Sequence, residues 1–162
     1  MSEAGEFVDF TLQRESSWEK AMDARGRLGG MKVYGASVGA VRGTVRDALK
    51  RHKTLGHDDI TALSSELWDE PVFERRLAAV VLLQTKVGIL VNTDLTRIEG
   101  FIRQAGTEEL AGPLAVDVVK PLLARLEGQA KERAARVVER WSRDTDPWLR
   151  RAAQLATDNS NS

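Results

Sequence analysis

The sequence contains no cysteine and only two histidines, His52 and His57. Disulfides, thiolate nucleophiles and cysteine-ligated zinc are thereby excluded, and histidine-rich metal or triad chemistry has little to build on. Neither sign of charge is in excess, since 24 basic residues face 24 acidic ones. No global field draws such a chain toward nucleic acid or an anionic membrane, so any basic surface must be local. Aromatic residues make up only 6% of the chain, a poor supply for a β-sandwich. No apolar run approaches the roughly 18 residues of a membrane span. A glycine-rich phosphate loop is also missing, because Gly35-Ala36-Ser37-Val38-Gly39 matches no nucleotide fingerprint. The first residues, Met1-Ser2-Glu3-Ala4-Gly5-Glu6, carry acid where a secretory signal carries base. These absences lead to the expectation of a cytoplasmic protein without membrane association.

What is present fits packed amphipathic helices: 42% hydrophobic and 30% charged residues in 162. Apolar residues recur at helical spacing. Val38, Val41, Val45, Ala48 and Leu49 form one stripe behind a Ser37 cap, Ile60, Leu63 and Leu67 the next, and Leu95, Ile98 and Ile102 another behind Thr93. The segment from Val72 to Leu83 is apolar nearly all round after its first turn, which predicts an inner helix covered on both sides. Leu110, Leu114, Val118 and Leu122 predict a long inner helix, and Ala130, Ala134, Val137, Val138 and Trp141 an amphipathic partner. A last helix is expected to begin near Pro147.

An internal echo organises these helices. Pro71-Val72-Phe73-Glu74-Arg75-Arg76-Leu77-Ala78-Ala79 returns, shortened, as Pro147-Trp148-Leu149-Arg150-Arg151-Ala152-Ala153. A copied unit about two helical hairpins away is the pattern of a HEAT-type repeat. The expected fold is therefore an all-α, right-handed solenoid of stacked antiparallel helix pairs. It occupies residues 1–157 as one domain, with a polar disordered tail at 158–162.

Three groups of residues invite a chemical reading. Asp117 interrupts the apolar run Leu114-Ala115-Val116-Asp117-Val118-Val119, so it must be paired, open onto a cleft or be raised in pKa. Pro121 cannot donate to the carbonyl four residues earlier, that of Asp117, so a kink or an exposed backbone oxygen is expected there. Arg133, Arg136, Arg140 and Arg143 share one helix face, partly offset by Glu132 and Glu139. Arg42, Arg46 and Lys50 form a second basic stripe, with only Asp47 near to offset it. Such stripes follow a phosphate backbone or stand as solvated faces. Arg75-Arg76 and Arg150-Arg151 lie in first helical turns, the poorer end for a cation, so another use must favour them. A bond to the preceding repeat is one such use.

Taken in order, four patches resemble the AlkD-like DNA alkylation repair glycosylases, which are built from HEAT-like repeats. They are Tyr34-Gly35 before an arginine-rich helix, Glu66-Leu67-Trp68-Asp69 leading into Glu74-Arg75-Arg76, Asp117 with Pro121, and Trp148 to Ala153. The resemblance runs from about Tyr34 onward. It implies binding of double-stranded DNA that contains alkylated purines, and hydrolysis of the glycosidic bond of N3- or N7-alkylpurines without metal or cofactor. By the same resemblance Asp117 is the catalytic carboxylate and Arg151 holds the phosphate near the lesion. Arg150, Arg143, Arg42 and Arg46 are the further candidate DNA contacts.

Two departures accompany the match. Where the family carries a cleft tryptophan four residues before the aspartate, this sequence has Pro113. The family's C-terminal repeats are expected to be missing, which leaves an open repeat face for a homodimer. The alternative function is a non-catalytic HEAT-repeat adaptor or DNA-binding paralogue, in which Asp117 and the arginines serve repeat packing.

Overall fold

The computed structural model describes residues 1–159, so residues 160–162 of the expected tail lie outside the described residues. The fold is all-helical, and among the described residues the only β pairing is an isolated parallel bridge between Lys32 and Val72. The chain divides into two compact units, Met1–Thr85 and a second that begins at Lys86. No helix among the described residues is long and apolar enough to cross a membrane.

The first unit holds α1 (Glu3–Arg14), α2 (Trp18–Arg27), α3 (Val38–Arg51), α4 (His57–Asp69) and α5 (Phe73–Thr85). Helix α5 is the inner helix the sequence predicts. Every residue from Phe73 to Leu83 is buried, because α3 and α4 pack on it and α1 lies against all three. The Ser37 hydroxyl caps α3 by accepting from the Ala40 N–H at 3.0 Å. Helix α1 buries Ala4, Val8 and Leu12, spaced one turn apart, whereas α2 buries no residue at all.

The segment before α3 is stitched to the start of α5. The Phe73 N–H donates to the Lys32 carbonyl at 2.9 Å. The buried Glu74 carboxylate accepts from the backbone N–H groups of Tyr34, Gly35 and Ala36 at 2.8, 2.9 and 3.2 Å. A carboxylate that is only 1% exposed requires such partners. Gly35 has φ +89, and a Cβ there would stand 2.1 Å from the Ser17 carbonyl oxygen. Only glycine fits that approach.

The second unit contains two short 3-10 turns (Val87–Ile89, Asn92–Asp94), α6 (Leu95–Gln104), α7 (Glu108–Pro113), a π turn (Leu114–Val119), α8 (Lys120–Arg125), α9 (Gly128–Ser142) and α10 (Pro147–Thr157). The sequence predicts one long helix through residues 110 to 122. The helical run is continuous, but its centre is wider than an α-helix. Pro113 and Pro121 bracket that centre, and the Lys120 N–H donates to Ala115, five residues back. Prolines remove the four-residue bonds, and the wider register replaces them. Helix α10 packs on α9, α6 and the π turn. Trp141 is buried, its indole N–H donating to Glu99 at 2.6 Å.

Candidate active site

Asp117 sits in the π turn, and its placement follows from that geometry. Leu114 and Ala115 point inward, Val116 and Asp117 outward, and Val118 and Val119 inward again. Val116 and Asp117 thus lie on the one outward side of an otherwise buried run. The carboxylate that the sequence places in an apolar run is thus delivered to the surface. π turns of this kind occur often at functional sites.

Helix α10, which packs on this turn, carries Arg150 and Arg151. The Arg151 Nε donates to Glu108 Oε2 at 2.8 Å and Nη2 to Oε1 at 3.2 Å, a two-pronged pair across to the first turn of α7. The hydrogen bond to Glu108 raises the guanidinium's pKa further above its ordinary value, so it stays fully charged. Arg150 turns the other way. Its Nη1 donates to the carbonyls of Asp144 and Thr145 at 2.9 and 3.0 Å, tying α10 to the loop before it. Lys120, one residue past the π turn, donates its Nζ to the Asp158 carbonyl at 2.7 Å. Arg143 ends α9, exposed, with its Nε 3.7 Å from Glu139.

That same loop carries a second two-pronged surface ion pair. Arg103 donates to Asp144 Oδ1 and Oδ2 at 3.1 and 2.8 Å, and it also approaches Glu99 and Asp146. The hydrogen bond from Arg103 holds the Asp144 carboxyl down to about 2. Asp146 caps α10 by accepting from the Trp148 N–H at 2.8 Å.

Arg42 and Arg46 lie in the first unit. With Lys50 and Lys53 they border a cleft of about 460 Å³ whose apolar part is Leu49 and Val81. No acidic residue lines it, and Asp47 lies 4.0 Å from Arg46. Three cations four residues apart along α3, with Lys53 just beyond its end, make a surface suited to phosphates. Asp117, Arg143, Arg150 and Arg151 are therefore elements of one unit, and Arg42 and Arg46 of the other.

Comparison with protein families decides the affiliation. The sequence model described as "DNA alkylation repair enzyme" matches residues 11–159. The chain belongs to this DNA alkylation repair enzyme family. A search of curated proteins finds no match. The match extends over parts of both units and includes α3 and the π turn. Sequence reasoning missed two residues of this family member. Glu108 follows the Thr107 cap and reads as an ordinary acidic first turn, and Glu74 reads as part of a packing motif. Neither carries a local signal, because each acquires its role from a partner about 40 residues away.

Proposed function

We propose that this chain is a DNA glycosylase of the alkylation repair type, with its helix pairs stacked in HEAT-like fashion. It binds alkylated duplex DNA and hydrolyses the N-glycosidic bond of N3- or N7-alkylpurines. The observation that carries the reading is the exposed carboxylate of Asp117 on a π turn within the family match.

The chemistry asks little of the protein. An alkylated purine of this class is cationic, so the bond from C1′ to the base nitrogen breaks with its electron pair moving onto the base. The base leaves neutral. Positive charge then develops on the sugar, and a fixed carboxylate stabilises it more in the transition state than in the ground state. Water adds to C1′ and gives up a proton, which the Asp117 carboxylate accepts or passes to solvent. Arg151 orders the flanking phosphate, and Arg42 and Arg46 hold the backbone by charge.

The test is release of 3-methyladenine or 7-methylguanine from methylated duplex DNA. Asp117→Asn, isosteric but uncharged, is expected to slow excision about 100-fold or more. Folded wild-type protein that releases no base would overturn the catalytic reading. The second reading, a DNA-binding paralogue or adaptor without catalysis, then takes its place. One observation favours that alternative: Arg150 and Arg151 both already have partners within the protein.

A further inference from the structure

Arg151 does not offer a bare guanidinium. Glu108 occupies two of its N–H groups in parallel, the same edge that a phosphate diester would take through two oxygens. The pair is also superficial: the two side chains are 53% and 49% exposed. Exposed pairs are opened at little cost, so the contact contributes far less to the fold than a buried one does. Its geometry nonetheless depends on the local backbone. Glu108 lies back along α7 above Gly112, where a Cβ would stand 2.7 Å from its Oε1. The absent side chain at position 112 leaves room for the carboxylate.

We propose that Glu108 is an internal stand-in for a DNA phosphate, holding the bidentate edge of Arg151 in the free protein and being displaced when the DNA backbone binds. The inference rests on the reading of Arg151 as a phosphate ligand. Glu108 acts on binding in two ways: it withholds the guanidinium, and its own charge repels the arriving phosphate. Both weaken the hold on DNA in general. Residence on a site then depends more on contacts made at the lesion.

The experiment is equilibrium binding to an undamaged duplex oligonucleotide, by fluorescence anisotropy over a series of salt concentrations. It compares wild type, Glu108→Gln, Arg151→Met and the double variant, each checked for native circular dichroism. Glu108→Gln is expected to tighten binding roughly 3- to 10-fold. Arg151→Met is expected to weaken binding and to flatten the log–log salt slope by about 0.9 for each phosphate that is no longer neutralised. Most of the gain from Glu108→Gln should vanish in the Arg151→Met background. Unchanged affinity in Glu108→Gln, beside a weakened Arg151→Met, overturns the stand-in and leaves the phosphate reading intact. An equal gain with or without Arg151 also overturns it, since that is a simple change of charge. An Arg151→Met variant with wild-type affinity and slope, or no binding by any variant, removes the phosphate reading itself.

Discussion

At the start of α5, Arg75 and Arg76 are 2% and 8% exposed; at the start of α10, the Arg151 side chain is 53% exposed and joined to a surface carboxylate. The two segments begin from the same written motif. In the first, Arg75 donates to the Glu66 carbonyl at 2.8 Å and pairs with Asp9 at 3.0 Å, while Arg76 donates to the Trp68 carbonyl at 3.1 Å and lies over the Trp68 ring. Both therefore satisfy the free carbonyls at the end of α4, where the helix dipole is negative. In the second, Arg150 does the equivalent for the loop after α9, and Arg151 is left to face outward. For Arg75, Arg76 and Arg150 this resolves the problem of cations in a first helical turn, for their charge serves carbonyls of the preceding segment. Each segment thus has an arginine bonded to carbonyls of the element before it, and Arg151 is where the two segments diverge.

The sharpest way to break this comparison is to remove one arginine from each copy. Arg75→Met removes the cation paired with Asp9, leaving that carboxylate to Tyr34 and Gln13, and also removes the bond to the Glu66 carbonyl; it should cost about 3 kcal/mol in urea unfolding. Arg151→Met should leave the urea midpoint of wild type unchanged. Equal losses from both would mean that the second copy is as structural as the first. A smaller effect comes from Gly35→Ala, which strains a positive φ and drives a Cβ into the Ser17 carbonyl. It should cost about 2 to 3 kcal/mol and lower the thermal midpoint. At the start of α10 the buried Leu149 stands in place of Glu74, which anchors the Gly35 loop to α5.

The smallest effect concerns pH. The carboxyl of Asp144 is held near 2 in the folded protein against about 3.9 in an unfolded chain. Its contribution is present in full above about pH 5 and is lost as pH falls toward 2. The thermal midpoint of wild type should therefore exceed that of Asp144→Asn at neutral pH, and the two should converge near pH 2. A constant difference down to pH 2 would detach Asp144 from the bracing of the second copy.

Helix periodicity made most of the architecture legible. The stripes behind Ser37, from Ile60, from Leu95 and through Trp141 all became helices, and α5 is buried as its apolar run after the first turn predicts, although its charged first turn is buried too. α1 was readable in principle from Ala4, Val8 and Leu12 behind Ser2, whereas α2 has no buried stripe and hence no pattern. The π turn was half legible: Pro121 announces a missing bond at Asp117, but not that the helix widens instead of bending. Side-chain partnerships across long stretches of sequence were not legible. Nothing local distinguishes Arg76, stacked on Trp68, from Arg151, paired with Glu108.

The three successive amides of Tyr34, Gly35 and Ala36 form a concave nest of the kind that binds anions elsewhere. Here the protein supplies the anion itself, and Glu74 is sealed inside. An anion-binding motif is thereby spent on holding the fold together. With such a tenant the loop is closed to phosphate or sulfate from solution.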